Sequence, residues 1–98
     1  MDIIKNVEAG MLQLQLKGRL DTITAPQLEE EVVKSLDGVK EFVLDFTDLE
    51  YISSAGLRVL LLAQKKMNKQ GSMVLKNVND DIKGIFDITG FSSILDIQ

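Results

Sequence analysis

Two adjacent serines lie in the run YISSAGLRVLL, between an apolar stretch typical of a strand and an apolar stretch typical of a helix. Ser53 and Ser54 therefore stand at the predicted start of a helix, where a serine hydroxyl can accept a hydrogen bond from an unpaired backbone amide. Helix capping would account for one of them. Two serines followed by Ala55 and Gly56 also make a small-residue surface that another protein or a phosphate can approach closely. The residues alone leave both interpretations open.

The rest of the sequence lacks the residue types on which most catalytic sites depend. The chain contains no histidine and no cysteine, which removes the commonest general base, the usual zinc ligands and the common nucleophile pairs. Carboxylate pairs occur at Asp45 with Asp48 and at Asp80 with Asp81, and turn or cap roles are favoured for them over a metal or acid–base site. An enzyme using Ser54 as nucleophile would lack a base. We predict no enzymatic activity, no metal and no cofactor.

Length and charge indicate a small protein with an acidic surface. The 98 residues are expected to form one domain spanning residues 1–98. Eleven basic against fifteen acidic residues give a net charge of -4, which argues against binding to nucleic acid or anionic lipid. The longest apolar run, residues 59 to 63, is far shorter than the ~20 residues that span a bilayer. We predict a cytoplasmic protein without membrane association.

Period-two and continuous apolar patterns predict the strands. Residues 11 to 16, MLQLQL, alternate apolar and polar and predict a strand with one buried face, preceded by an edge strand that turns at Ala9 and Gly10. Residues 41 to 46, EFVLDF, are nearly all apolar and predict a strand buried on both faces. Residues 72 to 77 predict a fourth strand, and the closing SSILDIQ predicts a fifth.

Apolar residues at spacings of three and four predict three helices. The first begins with a capping box formed by Thr24 and Gln27, accepts Pro26 in its first turn and ends at Gly38. The residues predicted to face the core in the three helices are, in order, Ala25, Leu28, Val32 and Leu36; Leu57, Leu60, Ala63 and Met67; and Ile82, Ile85, Phe86 and Ile88.

The second and third helices complete an alternation of strands and helices. The second is predicted from Ser54 to Gln70 with Gly71 as its stop, and the third has Asn79 as cap and Gly90 as stop. Strands separated by helices imply right-handed crossovers. The sequence therefore predicts an α/β domain with a mixed, mostly parallel sheet of four to five strands and about three helices.

One leucine of the second helix falls outside its apolar stripe. The face that carries Leu62 also carries four cations, Arg58, Lys65, Lys66 and Lys69. Four cations without interleaved aromatics on an acidic protein favour a solvated helix face over a nucleic-acid site. A single exposed leucine is common. Because Ser54 begins the same helix, Leu62 is also a candidate partner contact.

Three segments together resemble a known family. GRLDTITA (residues 18–25), a buried strand ending in VLDF (residues 43–46) and DLEYISSAGLRVLL (residues 48–61) occur in the order found in the STAS domain of bacterial anti-sigma factor antagonists. The resemblance extends over nearly the whole chain. It is most specific where the serine–glycine–leucine run follows a buried strand and opens a helix.

The resemblance implies roles for several residues. The family's usual run is Asp-Ser-Ser/Thr-Gly-Leu, and its first serine, two positions before the glycine, is phosphorylated. That position is Ser54 here, Ala55 replaces the second hydroxyl, and Ser53 stands where the family often has aspartate. Asp21 is implied to lie beside Ser54, to position or polarise its hydroxyl and to meet a kinase. The predicted partner or kinase contacts are Asp21, Thr24, Ser53, Ala55, Gly56, Arg58 and Leu62.

The resemblance also implies a partner-switching mechanism. The unphosphorylated protein is expected to bind an anti-sigma factor that is also a serine kinase, which frees a sigma factor. Phosphorylation of Ser54 ends that binding, and a PP2C-type phosphatase restores it. The alternative is a STAS accessory subunit of a lipid- or anion-transport complex, or a nucleotide-responsive STAS module. Copurification with a transporter ATPase would favour that alternative.

Overall fold

The computed structural model describes all 98 residues and contains one sheet of four strands in chain order. The first strand runs antiparallel to the second, and the second, third and fourth are parallel. The strands are β1 (Asp2–Glu8), β2 (Met11–Leu20), β3 (Glu41–Ile52) and β4 (Ser72–Lys76). The predicted edge hairpin is confirmed, because Glu8 pairs with Met11 across a turn in which Gly10 has a φ of 74°.

Three α-helices connect or follow the parallel strands. They are α1 (Ala25–Ser35), α2 (Ser54–Asn68) and α3 (Asp80–Thr89), and a short 3₁₀ helix covers Phe91–Ser93. Asn79 caps α3 as predicted, since its side chain accepts a hydrogen bond from the Ile82 amide, and Gly90 ends it in the left-handed conformation. The α/β fold with a mixed, mostly parallel sheet is therefore confirmed. None of the helices combines the length and apolarity needed to cross a bilayer.

The core lies between one face of the sheet and the helices. In β2 the residues Leu12, Leu14 and Leu16 are at most 1% exposed, whereas Gln13 and Gln15 project from the opposite face. This alternation confirms the period-two prediction. The helical residues of the same core cluster are Ala25, Leu28, Val32, Leu57, Val59, Leu60, Ala63, Met67, Ile82 and Phe86.

The third strand extends six residues beyond its prediction and ends at Ile52. Beyond Phe46 its buried residues are Leu49 and Ile52, three positions apart, so the strand no longer shows period two in the sequence. Two register shifts in the pairing with β2 accommodate this change. As a result β2 and β3 remain paired up to Leu20 and Ile52.

Two predictions for the last twenty residues are wrong. The segment SSILDIQ is not a full strand, because Phe91–Ser93 form the 3₁₀ helix and only Ile97 makes a bridge, to Leu75. Ile88 does not face the core and is 89% exposed. At about 100° per residue, Ile88 points roughly 120° away from the buried Ile82.

Candidate functional site

The serine run and the GRLDTITA segment meet at the edge of the sheet where β2 and β3 end. Leu20 and Ile52 are paired at the last position of the two strands, and the Ser53 amide donates to the Leu20 carbonyl at 2.9 Å. Asp21 therefore leaves one strand beside the point where Ser54 leaves the next. The carboxyl ends of parallel strands are the usual location of functional residues in α/β proteins.

Ser54 is the first residue of α2 and has a free hydroxyl. Ser53 is extended, with φ of -104° and ψ of 176°, and the helix begins immediately after it. Ser54 is exposed, and its hydroxyl takes part in no hydrogen bond within the chain. Its backbone belongs to the helical turn whose amides lack intrahelical partners, a position where negative charge is favoured.

Ser53 differs from Ser54 although the two are adjacent. It occupies the cap position of α2, yet its side chain does not cap the helix. The Ser53 Oγ atom is buried and has no hydrogen-bond partner. The capping role considered for the serines is therefore absent in both, and only the Ser54 hydroxyl is available to a second molecule.

Asp21 is held by its own loop. Its Oδ1 accepts hydrogen bonds from the amides of Ile23 and Thr24 at 3.0 and 3.1 Å, which makes a turn closed by the side chain. The bond from the Thr24 amide is the main reason that the pKa of Asp21 lies below its ordinary value, and the Ile23 amide and nearby Arg19 act in the same direction. The carboxylate is therefore ionised at neutral pH, and these hydrogen bonds hold the loop in one conformation.

Thr24 does not cap α1 as predicted. Its hydroxyl donates to the Arg19 carbonyl at 2.7 Å and accepts from the Asp21 amide at 2.9 Å, and no side-chain bond reaches the first turn of α1. The hydroxyl bonds to the backbone of Arg19 and Asp21, and this local side-chain-to-backbone pattern replaces a bond to the first turn of the helix. Thr24 thus stabilises the loop that carries Asp21.

Two features of this edge were missed by the sequence analysis. Ile23, at the tip of the Asp21–Thr24 turn, is 86% exposed, although large apolar side chains are usually covered. The Arg19 guanidinium lies 4.3 Å from the centre of the Tyr51 ring, a cation–π contact between neighbouring strands. The sequence signal for Ile23 was present, since it lies outside the apolar stripe of α1 and between two threonines.

Gly56, which the resemblance predicts as a partner contact, has a packing role in this structure. It is buried, and a Cβ atom at this position would lie 2.7 Å from Leu20 Cγ and 2.9 Å from Ile52 Cγ1. Gly56 therefore lets the first turn of α2 lie directly on the ends of β2 and β3. Ala55 is partly buried and packs against the core. Gly56 and Ala55 allow α2 to pack closely on the strand ends, and Ser54 is the exposed residue of this turn.

Gly56→Ala is expected to destabilise the fold by about 1–2 kcal/mol, because the added methyl overpacks against Leu20 and Ile52. Gly84→Ala is the matched control, since Gly84 is also helical and a Cβ there meets nothing within 4 Å. Gly84→Ala should raise stability by about 0.5–1 kcal/mol through helix propensity. Urea unfolding of both variants measures the difference, and equal stability of the two would contradict this account of Gly56.

The outer face of α2 presents cations around one leucine. Leu62 is 43% exposed, in agreement with its predicted position. Arg58, Lys65 and Lys69 are exposed on the same face and form no ion pair. Lys66 differs, because its Nζ lies 2.7 Å from Asp37 Oδ1 at the far end of the helix.

Asp45 and Asp48, one of the two carboxylate pairs considered for catalysis, have structural partners. Asp45 Oδ1 accepts from the Thr47 amide and hydroxyl and from Asn77 Nδ2. Partial burial raises the pKa of Asp45, but these bonds outweigh it and the pKa lies below its ordinary value. Asp48 accepts from Gln15 at 3.1 Å. No group of three or more carboxylates is placed to hold a metal ion.

Two known proteins are similar to this chain over most of its length. BtrV of Bordetella bronchiseptica, provisionally named an anti-sigma factor antagonist, is 42% identical over 90 residues, which cover 90% of this chain and 78% of BtrV. The anti-sigma-B factor antagonist of Bacillus subtilis is 33% identical over 88 residues, which cover 89% of this chain and 81% of that protein.

A solved structure shows the same fold at lower identity. SpoIIAA, an anti-sigma factor antagonist, in its unphosphorylated form superposes with a TM-score of 0.79 at 16% identity, over 99% of this chain and 87% of SpoIIAA. The phosphorylated form of SpoIIAA from Bacillus superposes with a TM-score of 0.77 at 17% identity, over 99% of this chain and 91% of SpoIIAA.

The fold and the site define a small α/β module with an exposed serine at the head of a helix and a fixed acidic loop beside it. The family model of the STAS domain matches residues 2–98. The chain belongs to the STAS domain family.

Proposed function

We propose that the chain is an anti-sigma factor antagonist that works as a phosphorylation-controlled partner switch. Unphosphorylated, it binds an anti-sigma factor that is also a serine kinase and thereby frees a sigma factor. Phosphorylation of Ser54 ends this binding, and a PP2C-type phosphatase reverses it. The names of the relatives that are 33% and 42% identical over most of this chain support the antagonist role.

The observation that carries the proposal is the difference between the two hydroxyls at the start of α2. Ser54 is exposed and its hydroxyl has no partner, whereas Ser53 Oγ is buried. A kinase must bring the γ-phosphate of ATP to the acceptor oxygen, which requires an accessible hydroxyl. This difference supports Ser54, and not Ser53, as the acceptor in the folded protein. The bond from Ser54 Oγ to the γ-phosphorus forms as the bond from that phosphorus to the bridging oxygen of ADP breaks. A base of the kinase takes the hydroxyl proton.

The modification changes the docking surface and leaves the fold in place. A phosphate adds about -1.5 to -2 charge at neutral pH. At the first residue of α2 this charge is locally favourable, because the free amides and the helix dipole attract anions. The buried neighbours Gly56 and Leu57 are untouched, so the helix remains seated on the strand ends. What a partner meets is a new anion beside Asp21.

Phosphorylation in vitro tests the proposal. The wild type, Ser54→Ala and Ser53→Ala are incubated with ATP and with anti-sigma kinases encoded near the chain's own gene, and mass spectrometry locates the phosphate. We expect modification of the wild type and Ser53→Ala at residue 54 and none of Ser54→Ala. Phosphate on Ser53, or no modification by any of these kinases, would overturn the mechanism.

A further inference from the structure

Arg58 is a cation without a partner one helical turn after Ser54. The two residues are four positions apart on α2, and side chains at this spacing lie on the same face of a helix. Arg58 is exposed and forms neither an ion pair nor a side-chain hydrogen bond. Lys66 on the same helix differs from Arg58, because it forms an ion pair with Asp37.

The other charged groups at this edge already have contacts. Arg19 lies over the Tyr51 ring, and its Nε is 3.8 Å from Asp21 Oδ2. Asp21 accepts from the amides of its own loop. A new anion on Ser54 would therefore find Arg58 as the uncommitted cation nearest to it along its own helix face, with the Asp21 carboxylate as the opposing charge on the neighbouring loop.

We propose that Arg58 is the intrachain partner of phosphorylated Ser54. In the unphosphorylated protein its guanidinium is free and adds to the cationic face that Lys65 and Lys69 continue around Leu62. After phosphorylation the Arg58 side chain points toward the N-terminus of α2, and its guanidinium binds the phosphate one helical turn away. The docking face of α2 then gains an anion and loses a cation in the same step. This inference rests on the proposed function, because it requires phosphate on Ser54.

The geometry favours such a pair. An anion placed four residues before a cation is the favourable order in a helix, since it also matches the helix dipole. A guanidinium can give two parallel hydrogen bonds to phosphate oxygens, whereas an ammonium acts as a point charge. Because both side chains are exposed, the pair should weaken as salt screens it.

The second ionisation of the phosphate reports the pair directly. Phosphoserine is incorporated at position 54 during translation, and ³¹P NMR follows its titration in the isolated chain. The phosphate pKa in wild type should lie about 0.2–0.4 pH unit below that of Arg58→Gln, because the guanidinium stabilises the dianion. Arg58→Lys should retain part of the difference, and 1 M salt should largely remove it.

Two further variants separate this pair from general charge effects. Lys66→Gln removes one cation from the same helix, outside the Ser54 face, and should leave the phosphate pKa unchanged. Asp21→Asn should lower the phosphate pKa by removing the opposing carboxylate. An unchanged pKa in Arg58→Gln, or an equal shift in Lys66→Gln, would overturn the inference. Because no kinase is used, this outcome is independent of whether a kinase modifies Ser54, which tests the proposed function alone.

Discussion

Ser54→Asp is expected to weaken binding to the proposed anti-sigma factor kinase by about a thousandfold, whereas Ser54→Ala should bind nearly as tightly as the wild type. The aspartate places a charge in a contact that was neutral, and desolvating a charge that the partner does not neutralise costs several kcal/mol, which corresponds to three decades of affinity or more and exceeds what an exposed pair with Arg58 contributes. The exposed, unbonded state of Ser54 means that alanine removes no hydrogen bond of the chain. Isothermal titration calorimetry with the nucleotide-bound kinase measures both affinities.

Ser72→Asp is the control for this charge change. Ser72 is exposed and is the first residue of β4. It pairs with Glu41, the first residue of β3, so it lies at the end of the sheet opposite to the carboxyl ends of β2 and β3. The substitution adds the same charge to the chain without placing it at the start of α2, so affinity should change by less than about threefold. Equal affinities of Ser54→Asp and Ser54→Ala would contradict the switch. An equal loss in Ser72→Asp would attribute the effect to net charge.

Gly71→Ala should produce the largest loss of stability, about 3 kcal/mol or more. A Cβ atom at position 71 would lie 2.0 Å from the Lys40 carbonyl oxygen and 2.6 Å from its carbonyl carbon. Both atoms belong to the backbone, so no side-chain rotation relieves the clash. The chain must move away from Lys40, which breaks the 2.9 Å bond that its carbonyl accepts from the Ser72 amide at the entry to β4.

Thermal unfolding checks the effect of Gly71→Ala. For a domain of this size, 3 kcal/mol lowers the Tm by at least about 12 °C. The Gly84→Ala variant, whose added methyl meets open space, again serves as the matched control and should not lose stability. A Tm of Gly71→Ala within about two degrees of the wild type would contradict the close contact between residue 71 and the Lys40 carbonyl.

Much of the fold could be predicted because the patterns that specify it are local. The alternation of Leu12, Leu14 and Leu16 and the helical stripes depend only on the spacing of apolar residues, and the Asn79 cap and Gly90 stop depend on one residue each. The second half of β3 could not be predicted, because its pairing with β2 depends on register shifts that involve residues thirty positions away. Long-range pairing of this kind has no signature in a sequence window.

The site was predictable in its location and not in its details. The resemblance assigned Ser54, Ser53 and Asp21 to one place, and the paired ends of β2 and β3 bring their segments together. That the Ser53 Oγ atom is buried and Ser54 is exposed depends on how α2 packs on the strand ends, which the sequence does not contain. The bonds of the Thr24 hydroxyl likewise follow from the loop and not from its residue type.

Gly56 and Gly71 show more clearly that packing against distant residues cannot be predicted from the sequence. The sequence predicts Gly56 as a small residue that lets a partner approach and Gly71 as the stop of a helix. Their positions are now explained by space, since each lies against atoms that leave no room for a methyl group. A glycine required for close packing and a glycine required for backbone freedom look identical in a sequence.

The unsatisfied hydroxyl of Ser53 bears on how this protein can diverge. Its side chain neither caps α2 nor accepts any hydrogen bond, so the folded state gains no hydrogen bond from a hydroxyl at this position. A buried hydroxyl without a partner carries the cost of its lost hydration, so replacing Ser53 by alanine would remove a polar group without losing a hydrogen bond. The family's usual aspartate would bring a carboxylate to the same buried position, so a lineage that exchanges the two residues must also supply hydrogen bonds or solvent exposure for that charge.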